Sequence, residues 1–371
     1  MRLKLINILF FVSVLFSLDA YSQVPRFKKI DSTTNFNIET KMSYGFIAPH
    51  NVGFNYLIQR HIPAIELDLS FPTKGSQLWQ QLYRYPAWGV GYYHCDLGNP
   101  EVLGDVNALF TYISVPWIRK RRFTLDYQFQ IGLSYLSKCF DSQSNYINIA
   151  VSTHLNAYLN LGVVGKIMLT DRLVLTTGCL ITHFSNGSTK VPNRGFNIIS
   201  AQTGLAYRFG DQPIVYTKSI VPTYVRKTQY SIFASMGIKQ VYPIEGDNYL
   251  TSCINFNVER LLGYKYKLGA GLDLFYDPSI QETAQIEGRF NTKNTDYICV
   301  GVHLSASMVF NRVTFGIEQG IYLHNRPIYF QSTYNRYGFK YRVKKHLSLN
   351  LTLRAYNANA DCIEWGCGYI F

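Results

Sequence analysis

The chain has 371 residues, of which 16% are charged and 15% are aromatic, and its formal net charge is +13. Its mean hydropathy of −0.04 excludes a bundle of membrane-spanning helices. The low charge and the scarcity of Pro and Gly clusters exclude a disordered chain. A large β protein remains, because a strand that alternates apolar and polar side chains can present an apolar exterior without raising the average hydropathy.

The first 22 residues have the features of an export signal. Arg2 and Lys4 are followed by an apolar run from Leu5 to Leu18 and by a small-residue cleavage site at Ala20-Tyr21-Ser22. The apolar run is shorter than the about 20 residues that a spanning helix needs. We therefore expect residues 1–22 to be removed on export, so that any membrane crossing is made by strands.

Alternation of apolar and polar residues predicts strands along most of the chain. In Leu347–Tyr356 the leucines occupy one parity and polar residues the other, so the segment has one apolar face and one polar face. About eight such segments precede residue 210 and about eight follow residue 228, each near the length of a tilted spanning strand. The predicted strands are 37–47, 60–70, 86–95, 101–115, 121–137, 147–164, 171–185 and 196–209, then 229–240, 249–261, 264–276, 283–291, 296–309, 312–324, 335–343 and 346–371, where the last span holds two strands.

Residues 210–228 separate the two sets of strands. They contain Pro213 and Pro222 and lack alternation, which is typical of a linker. The sequences Gly204–Phe209 and Gly366–Phe371 resemble each other at the ends of the two halves. We therefore predict an all-β protein with two antiparallel eight-stranded transmembrane barrels, over residues 23–209 and 229–371. One barrel of about sixteen strands is the alternative, since both have an even number of strands.

The seven cysteines show neither a CxxC pair nor a metal-binding spacing. Their number is odd and most lie within predicted strands, so we interpret them as packing residues and not as a disulfide framework. Basic runs at Arg119–Arg122 and Lys344–His346 lie between predicted strands. Export and the lack of a nucleic-acid-binding motif argue against nucleic acid, and anionic membrane headgroups fit these runs better.

One stretch, Thr182–Asn197, carries residues suited to chemistry. His183 and Ser185 are two positions apart, so they share one face of a strand, and an imidazole beside a hydroxyl is the minimal pair for nucleophilic acyl transfer. Parity places both on the same face as Ile181, and Asn197 of the next strand also projects from an apolar face. If that face meets lipid, the site opens sideways into the bilayer.

The stretch resembles the motif of the outer-membrane lipid A 3-O-deacylases, the PagL-like family, which is also described as acyloxyacyl hydrolases. The resemblance extends over about residues 35–209 and ends with the strand through Phe209. It implies an eight-stranded outer-membrane barrel that removes an ester-linked acyl chain from lipid A of lipopolysaccharide without a metal or a cofactor. Ser185 would then be the nucleophile and His183 the general base, and the segment after Ser185, with the Asn186 backbone, would supply oxyanion donors. The residues that carry the match or support the turn are His183, Ser185, Asn186, Gly187, Pro192, Asn193 and Gly195.

The chain departs from this family at one catalytic position. The family's third catalytic residue is a glutamate, which falls on Asn197 here. Asparagine can orient an imidazole by a hydrogen bond but cannot neutralise imidazolium, and the same exchange lowers the turnover of a serine protease by about four orders of magnitude. We therefore expect turnover to be slower. In the second half, Ala355 and Asn357 fall where the His–Ser pair would be, which predicts a catalytically silent unit.

Other interpretations remain open in the sequence. Asp96, Glu101 and Asp105 surround a turn that could bind calcium, although a solvated turn fits their number better. A non-catalytic barrel, either structural or a solute pore, is favoured by the silent second half. A phospholipase on the same scaffold is a third possibility. The sequence specifies neither the acyl position nor the oligomeric state.

Overall fold

The computed structural model describes residues 35–49, 52–210, 215–242, 246–286, 288, 294–324, 332–356 and 359–371. The predicted export signal, residues 1–22, lies outside these ranges. The described chain forms two closed antiparallel barrels of eight strands each. The prediction of two units is therefore confirmed, and the alternative of one sixteen-stranded barrel is wrong.

Each barrel closes by pairing its first strand with its last. In the first barrel β1 pairs with β8 from Phe36↔Phe209 to Ile47↔Ile198. In the second barrel β9 pairs with β16. The strands of the first barrel are β1 (Phe36–Ile47), β2 (Ile62–Pro72), β3 (Ala87–Asp96), β4 (Asp105–Arg119), β5 (Phe123–Leu136), β6 (Leu155–Met168), β7 (Leu173–Ser185) and β8 (Phe196–Phe209). Those of the second are β9 (Thr228–Gln240), β10 (Asn248–Leu261), β11 (Tyr266–Tyr276), β12 (Ile298–Phe310), β13 (Val313–His324), β14 (Thr333–Arg342), β15 (Leu347–Tyr356) and β16 (Asn359–Ile370).

Three predicted strands differ from the structure. The strand predicted at 101–115 is shifted to Asp105–Arg119, because residues 97–104 form the loop before it. The strand predicted at 147–164 begins at Leu155, because the preceding residues belong to the loop 137–154 between β5 and β6. The strand predicted at 283–291 is wrong, since Ile280–Ile286 is a helix and several of the following residues lie outside the described ranges. Ile280 and Ala284 are four residues apart and both are buried, which is the spacing of one helix face.

The other helices of the described chain are one turn, Leu78–Leu82, and two 3₁₀ segments, Val52–Leu57 and Asn294–Tyr297. None of the helices within the described ranges has the length and apolar character needed to cross a bilayer. All seven cysteines are free, and Cys95, Cys253, Cys299 and Cys362 are buried, in agreement with the packing role predicted for them.

The barrel walls show the predicted alternation between an apolar exterior and a polar interior. In β1, Met42 is 65% exposed while its neighbour Lys41 is 1% exposed. In β6, Leu161 is 58% exposed beside the fully buried Asn160. This pattern is typical of membrane barrels, in which lipid-facing side chains are apolar.

A buried ion pair network fills part of the first barrel. Lys41 Nζ lies 2.7 Å from Glu66 Oε1 and 2.5 Å from Asp68 Oδ2, and the three side chains are at most 1% exposed. Gln130 Nε2 donates to Glu66 Oε1 over 3.0 Å. A cluster of buried apolar side chains drawn from all eight strands fills another part of this barrel, and its rings include Phe54, Tyr93, Phe110, Tyr158, Phe184 and Phe196.

The second barrel is filled mainly by ion pairs. Arg336 Nη1 lies 2.6 Å from Glu318 Oε2, and Arg336 Nε lies 2.7 Å from Glu364 Oε2. Lys239 Nζ lies 2.7 Å from one oxygen each of Asp277 and Asp361. Glu364 points inward, as its parity predicts.

The connections differ in length at the two ends of the barrels. Turns 120–122, 169–172, 262–265, 311–312 and 343–346 lie at one end, here called the short-turn end, together with the longer connection 73–86 and residues 215–227. Loops 48–61, 97–104, 137–154 and 186–195 lie at the other, the long-loop end. In outer-membrane barrels the long loops face the outside of the cell. Both barrels have the same direction, because Tyr83 contacts Phe310 at the short-turn end and Ser188 contacts Ala360 at the long-loop end.

The barrels contact each other side by side. The Tyr83 ring stacks on Phe310 with centroids 4.3 Å apart, and its hydroxyl donates to Val309 O over 3.1 Å. Nearer the middle of the walls, the rings of Phe129 and Phe339 are 5.5 Å apart. Further contacts at the long-loop end involve loop 186–195.

We expect Lys41→Met to lower the free energy of unfolding by about 3–5 kcal/mol, because Glu66 and Asp68 would remain buried without their cation. Unfolding by urea in detergent micelles, followed by tryptophan fluorescence, measures the change. Lys120→Met removes the same charge from an exposed turn and is the control, with little expected effect. Equal unfolding midpoints for the two variants would contradict a stabilising role of the network.

Candidate active site

His183 and Asn197 are directly opposite each other on β7 and β8. Directly opposed residues on one face of a sheet have side chains within contact distance. The His183 Nδ1 atom is 2.8 Å from Asn197 Oδ1. The Asn197 backbone is held from the far side as well, since its carbonyl accepts the Ala48 N–H over 2.7 Å.

The second ring nitrogen of His183 contacts Ser185. The distance from His183 Nε2 to Ser185 Oγ is 3.0 Å. With Nδ1–H donating to the amide oxygen of Asn197, the Nε2 lone pair is left to accept the Ser185 hydroxyl proton. The structure thus brings together the serine, the histidine and the asparagine that the sequence singles out, in the order of a nucleophile, a base and a residue that orients the base.

The three residues lie on the outer wall of the first barrel at its long-loop end. Ile181 of β7 and Ile199 of β8 form the neighbouring opposed pair and are 52% and 40% exposed. Phe184 points the other way and is buried in the barrel interior. Ser185 is only 7% exposed, because the loop that follows it folds back over the site. The site therefore borders the apolar exterior, as side-chain parity predicts.

The loop 186–195 is held by hydrogen bonds to the neighbouring loop 137–154. Asn186 Nδ2 donates to Thr153 Oγ1 over 3.1 Å, and within its own loop to Lys190 O over 2.9 Å. Ser152 Oγ also donates to Lys190 O, over 2.7 Å. The Gly195 N–H donates to Ala150 O over 2.8 Å. These bonds keep the chain close to Ser185 between the two strands.

Two backbone amides follow Ser185 and are the candidate oxyanion donors. The Asn186 N–H already donates to Asn193 Oδ1 over 3.0 Å, so Asn193 supports the turn and occupies this donor. The Gly187 N–H makes no hydrogen bond with any described residue, and Gly187 has a φ of +63°. Of the two, the Gly187 amide is the one that is available.

The second barrel also contacts this loop, which the sequence did not indicate. Ser188 Oγ donates to Ala360 O over 2.6 Å, and the Gln240 N–H donates to Ser188 O over 3.0 Å. The Val191 N–H donates to Gln240 Oε1 over 3.1 Å. A contact between a turn and a distant strand end leaves no periodic pattern, so no feature of the sequence could have revealed it.

Other chemical groups near the site are less suited to catalysis. Cys139 Sγ lies 3.6 Å from His154 Nε2, but burial raises the pKa of the Cys139 thiol and so disfavours a thiolate. In the turn considered for calcium, for which a solvated turn was the favoured interpretation, Asp96 pairs with Arg60 and accepts the Gly98 N–H over 2.7 Å. Within the described ranges, no three His, Cys, Asp or Glu side chains come together as a metal site. Ala355 is buried in the second barrel, and Asn357 lies outside the described residues.

Comparison with solved structures gives similar barrels with low sequence identity. Neisserial surface protein A is 9% identical with a TM-score of 0.33, over 47% of this chain and 97% of that chain. The outer membrane enzyme PagL is 15% identical with a TM-score of 0.31, over 45% and 97% of the two chains. The toluene transporter TodX of Pseudomonas putida is 7% identical with a TM-score of 0.17, over 95% and 91%.

Comparison with protein families gives two matches in succession. Residues 64–212 match lipid A 3-O-deacylase (PagL), and residues 228–371 match the C-terminal domain of acyloxyacyl hydrolase. No curated protein matches the chain. Each matched region is less than half of the sequence, and together they cover most of both barrels. The chain is an outer-membrane protein whose first barrel is similar to the lipid A 3-O-deacylases and whose second barrel is similar to the C-terminal domain of acyloxyacyl hydrolase.

Proposed function

We propose that the first barrel is a serine esterase that removes an ester-linked acyl chain from lipid A of lipopolysaccharide. The observation that carries this proposal is the hydrogen-bonded chain from Ser185 through His183 to Asn197 on the outer wall of the barrel. The family match of residues 64–212 supports it independently.

The first half of the reaction forms an acyl-enzyme. Ser185 Oγ attacks the carbonyl carbon of the ester while His183 Nε2 takes the hydroxyl proton. The Gly187 N–H donates to the carbonyl oxygen as negative charge develops there. The bond between the carbonyl carbon and the sugar oxygen then breaks, and the imidazolium gives its proton to the leaving sugar oxygen, which becomes a hydroxyl.

The second half releases the fatty acid. Water attacks the acyl carbon on Ser185 as His183 takes one of its protons, and the Ser185 oxygen leaves with the proton that His183 then returns. The net reaction consumes one ester and one water and yields one alcohol and one carboxylic acid. Asn197 takes no proton in either half and keeps His183 in the tautomer that both halves require.

The position of the site matches a substrate that is itself part of a membrane. Ile181 and Ile199 next to the site form an apolar surface on which an acyl chain can lie. The site is at the long-loop end, which faces the outside of the cell in outer-membrane barrels and therefore borders the leaflet that contains lipopolysaccharide.

A solute pore is not favoured by the same structure. The interiors of both barrels are filled by buried ion pairs, and the first also by a cluster of rings. A phospholipase would use the same steps on a different ester, so the substrate has to be determined directly.

We expect wild-type protein to remove an acyl chain from lipid A in outer-membrane vesicles, and Ser185→Ala to do so more than about a thousandfold more slowly, because the nucleophile is lost. Mass spectrometry of extracted lipid A measures the loss. Ser43→Ala, a serine of β1, is the control and keeps wild-type activity. Acyl loss from phospholipids alone would assign a phospholipase, and loss from neither lipid would contradict an esterase.

We expect Asn197→Glu to raise kcat by about tenfold or more, because a carboxylate neutralises the imidazolium that forms on His183. Glutamine has the same side-chain length as glutamate but no charge, so Asn197→Gln is the matched control. Initial rates of fatty-acid release give the comparison. If the Glu variant is no faster than the Gln variant, charge on this residue does not limit the reaction.

We expect Gly195→Ala to slow the reaction of Ser185 with a fluorophosphonate by about tenfold or more. Gly195 has a φ of +70°, and an added Cβ would lie 2.9 Å from His183 Cε1, so the loop and the imidazole would have to shift. Gly165→Ala in β6 is the control, since its nearest neighbour would be 3.5 Å away. Equal labelling of the two variants would show that the imidazole tolerates the change.

A further inference from the structure

We propose that the second barrel completes the active site of the first, with Gln240 as a positioning residue for the loop that supplies the oxyanion donor. This inference rests on the proposed esterase function. It gives a role to the second barrel, whose described residues include no counterpart of the His183–Ser185 pair.

Gln240 is the last residue of β9 and holds the loop at two points. Its backbone N–H donates to Ser188 O over 3.0 Å, and its side-chain Oε1 accepts the Val191 N–H over 3.1 Å. Its Nε2 donates to Gly246 O over 2.7 Å, which turns the amide oxygen toward the loop. The side chain is largely buried, so these bonds form where few water molecules compete with them.

The first two residues after Asn186 lie directly against β16. Ser188 Oγ donates to Ala360 O over 2.6 Å. A Cβ added to Gly187 would lie 2.3 Å from Ile363 Cγ1, so only a glycine backbone can approach Ile363 this closely. The chain passes between the nucleophile and the second barrel at this point.

The conformation of these residues needs external support. Gly187 and Ser188 both have a φ of +63°, and the left-handed region is unfavourable for serine. Such conformations persist where the surroundings hold them. Here the bonds from Ser188 to Gln240 and Ala360 supply that support, and they fix the direction of the neighbouring Gly187 N–H. The second barrel would thereby set the geometry of transition-state stabilisation without contacting the substrate.

Two substitutions of equal length separate the hydrogen bond from the size of the side chain. Gln240→Met removes the acceptor for the Val191 N–H, and Gln240→Glu retains it. We expect Gln240→Met in the full chain to lower kcat on lipid A about tenfold with little change in KM, since displacement of a catalytic group affects the chemical step. Gln240→Glu should recover most of the rate, and Ser188→Ala should lower kcat by a few fold.

Gln319→Ala changes an exposed glutamine of β13 and is the control. Heat-modified mobility on gels verifies that each variant is folded. Hydrogen–deuterium exchange of the Val191 amide should be faster in Gln240→Met than in Gln240→Glu, and this readout does not depend on any activity. If wild type cleaves no lipid, the esterase proposal fails, while exchange still tests the contact. Equal exchange and equal kcat in Gln240→Met and Gln319→Ala would overturn the inference.

Discussion

The pairing register of β7 and β8 is the constraint on which both the wall of the first barrel and its candidate site depend. His183 opposes Asn197, and the next pair along, Phe184 and Phe196, points inward with both rings fully buried. Because side chains alternate between faces, a slip of one residue would expose a phenylalanine to lipid and would point a polar side chain into the aromatic cluster. Burial of the two rings therefore specifies the same register that places the imidazole against the amide.

The asparagine at this position has a definite chemical consequence. In a triad, the residue behind the imidazole both selects the tautomer and stabilises imidazolium. Asn197 Oδ1 lies 2.8 Å from His183 Nδ1, so the first task is performed. The second task requires charge, which an amide lacks. The amide in turn avoids placing a carboxylate beside the exposed Ile181 and Ile199, where lipid would desolvate it. The site thus has the geometry of a triad with weaker electrostatic stabilisation.

Much of the fold follows from period-two alternation, because each strand has one face in lipid and one inside the barrel. Parity also predicted that His183, Ser185 and Asn197 share the outer face. Alternation could not identify the helix Ile280–Ile286. A segment of seven residues is too short for the helical period of 3.6 to be distinguished from the strand period of 2. Alternation also could not show that the Asn186 N–H donates to Asn193 Oδ1, because that hydrogen bond depends on how the turn folds.

The contact between Gln240 and loop 186–195 could not be predicted from sequence periodicity, because it joins residues of separate barrels. The ion pairs inside the second barrel are consistent with a role in supporting loop 186–195. Arg336 and Lys239 each lie between carboxylates in the interior, and removing one partner of such a pair leaves a buried charge without compensation. Deformation of this wall would therefore be costly. Lys239 immediately precedes Gln240 on β9 and points inward to Asp277 and Asp361, so the interior ion pairs anchor the same strand end that holds the loop. Under our proposal, the rigidity of the second barrel's interior would hold in place the loop beside the candidate site on the first barrel.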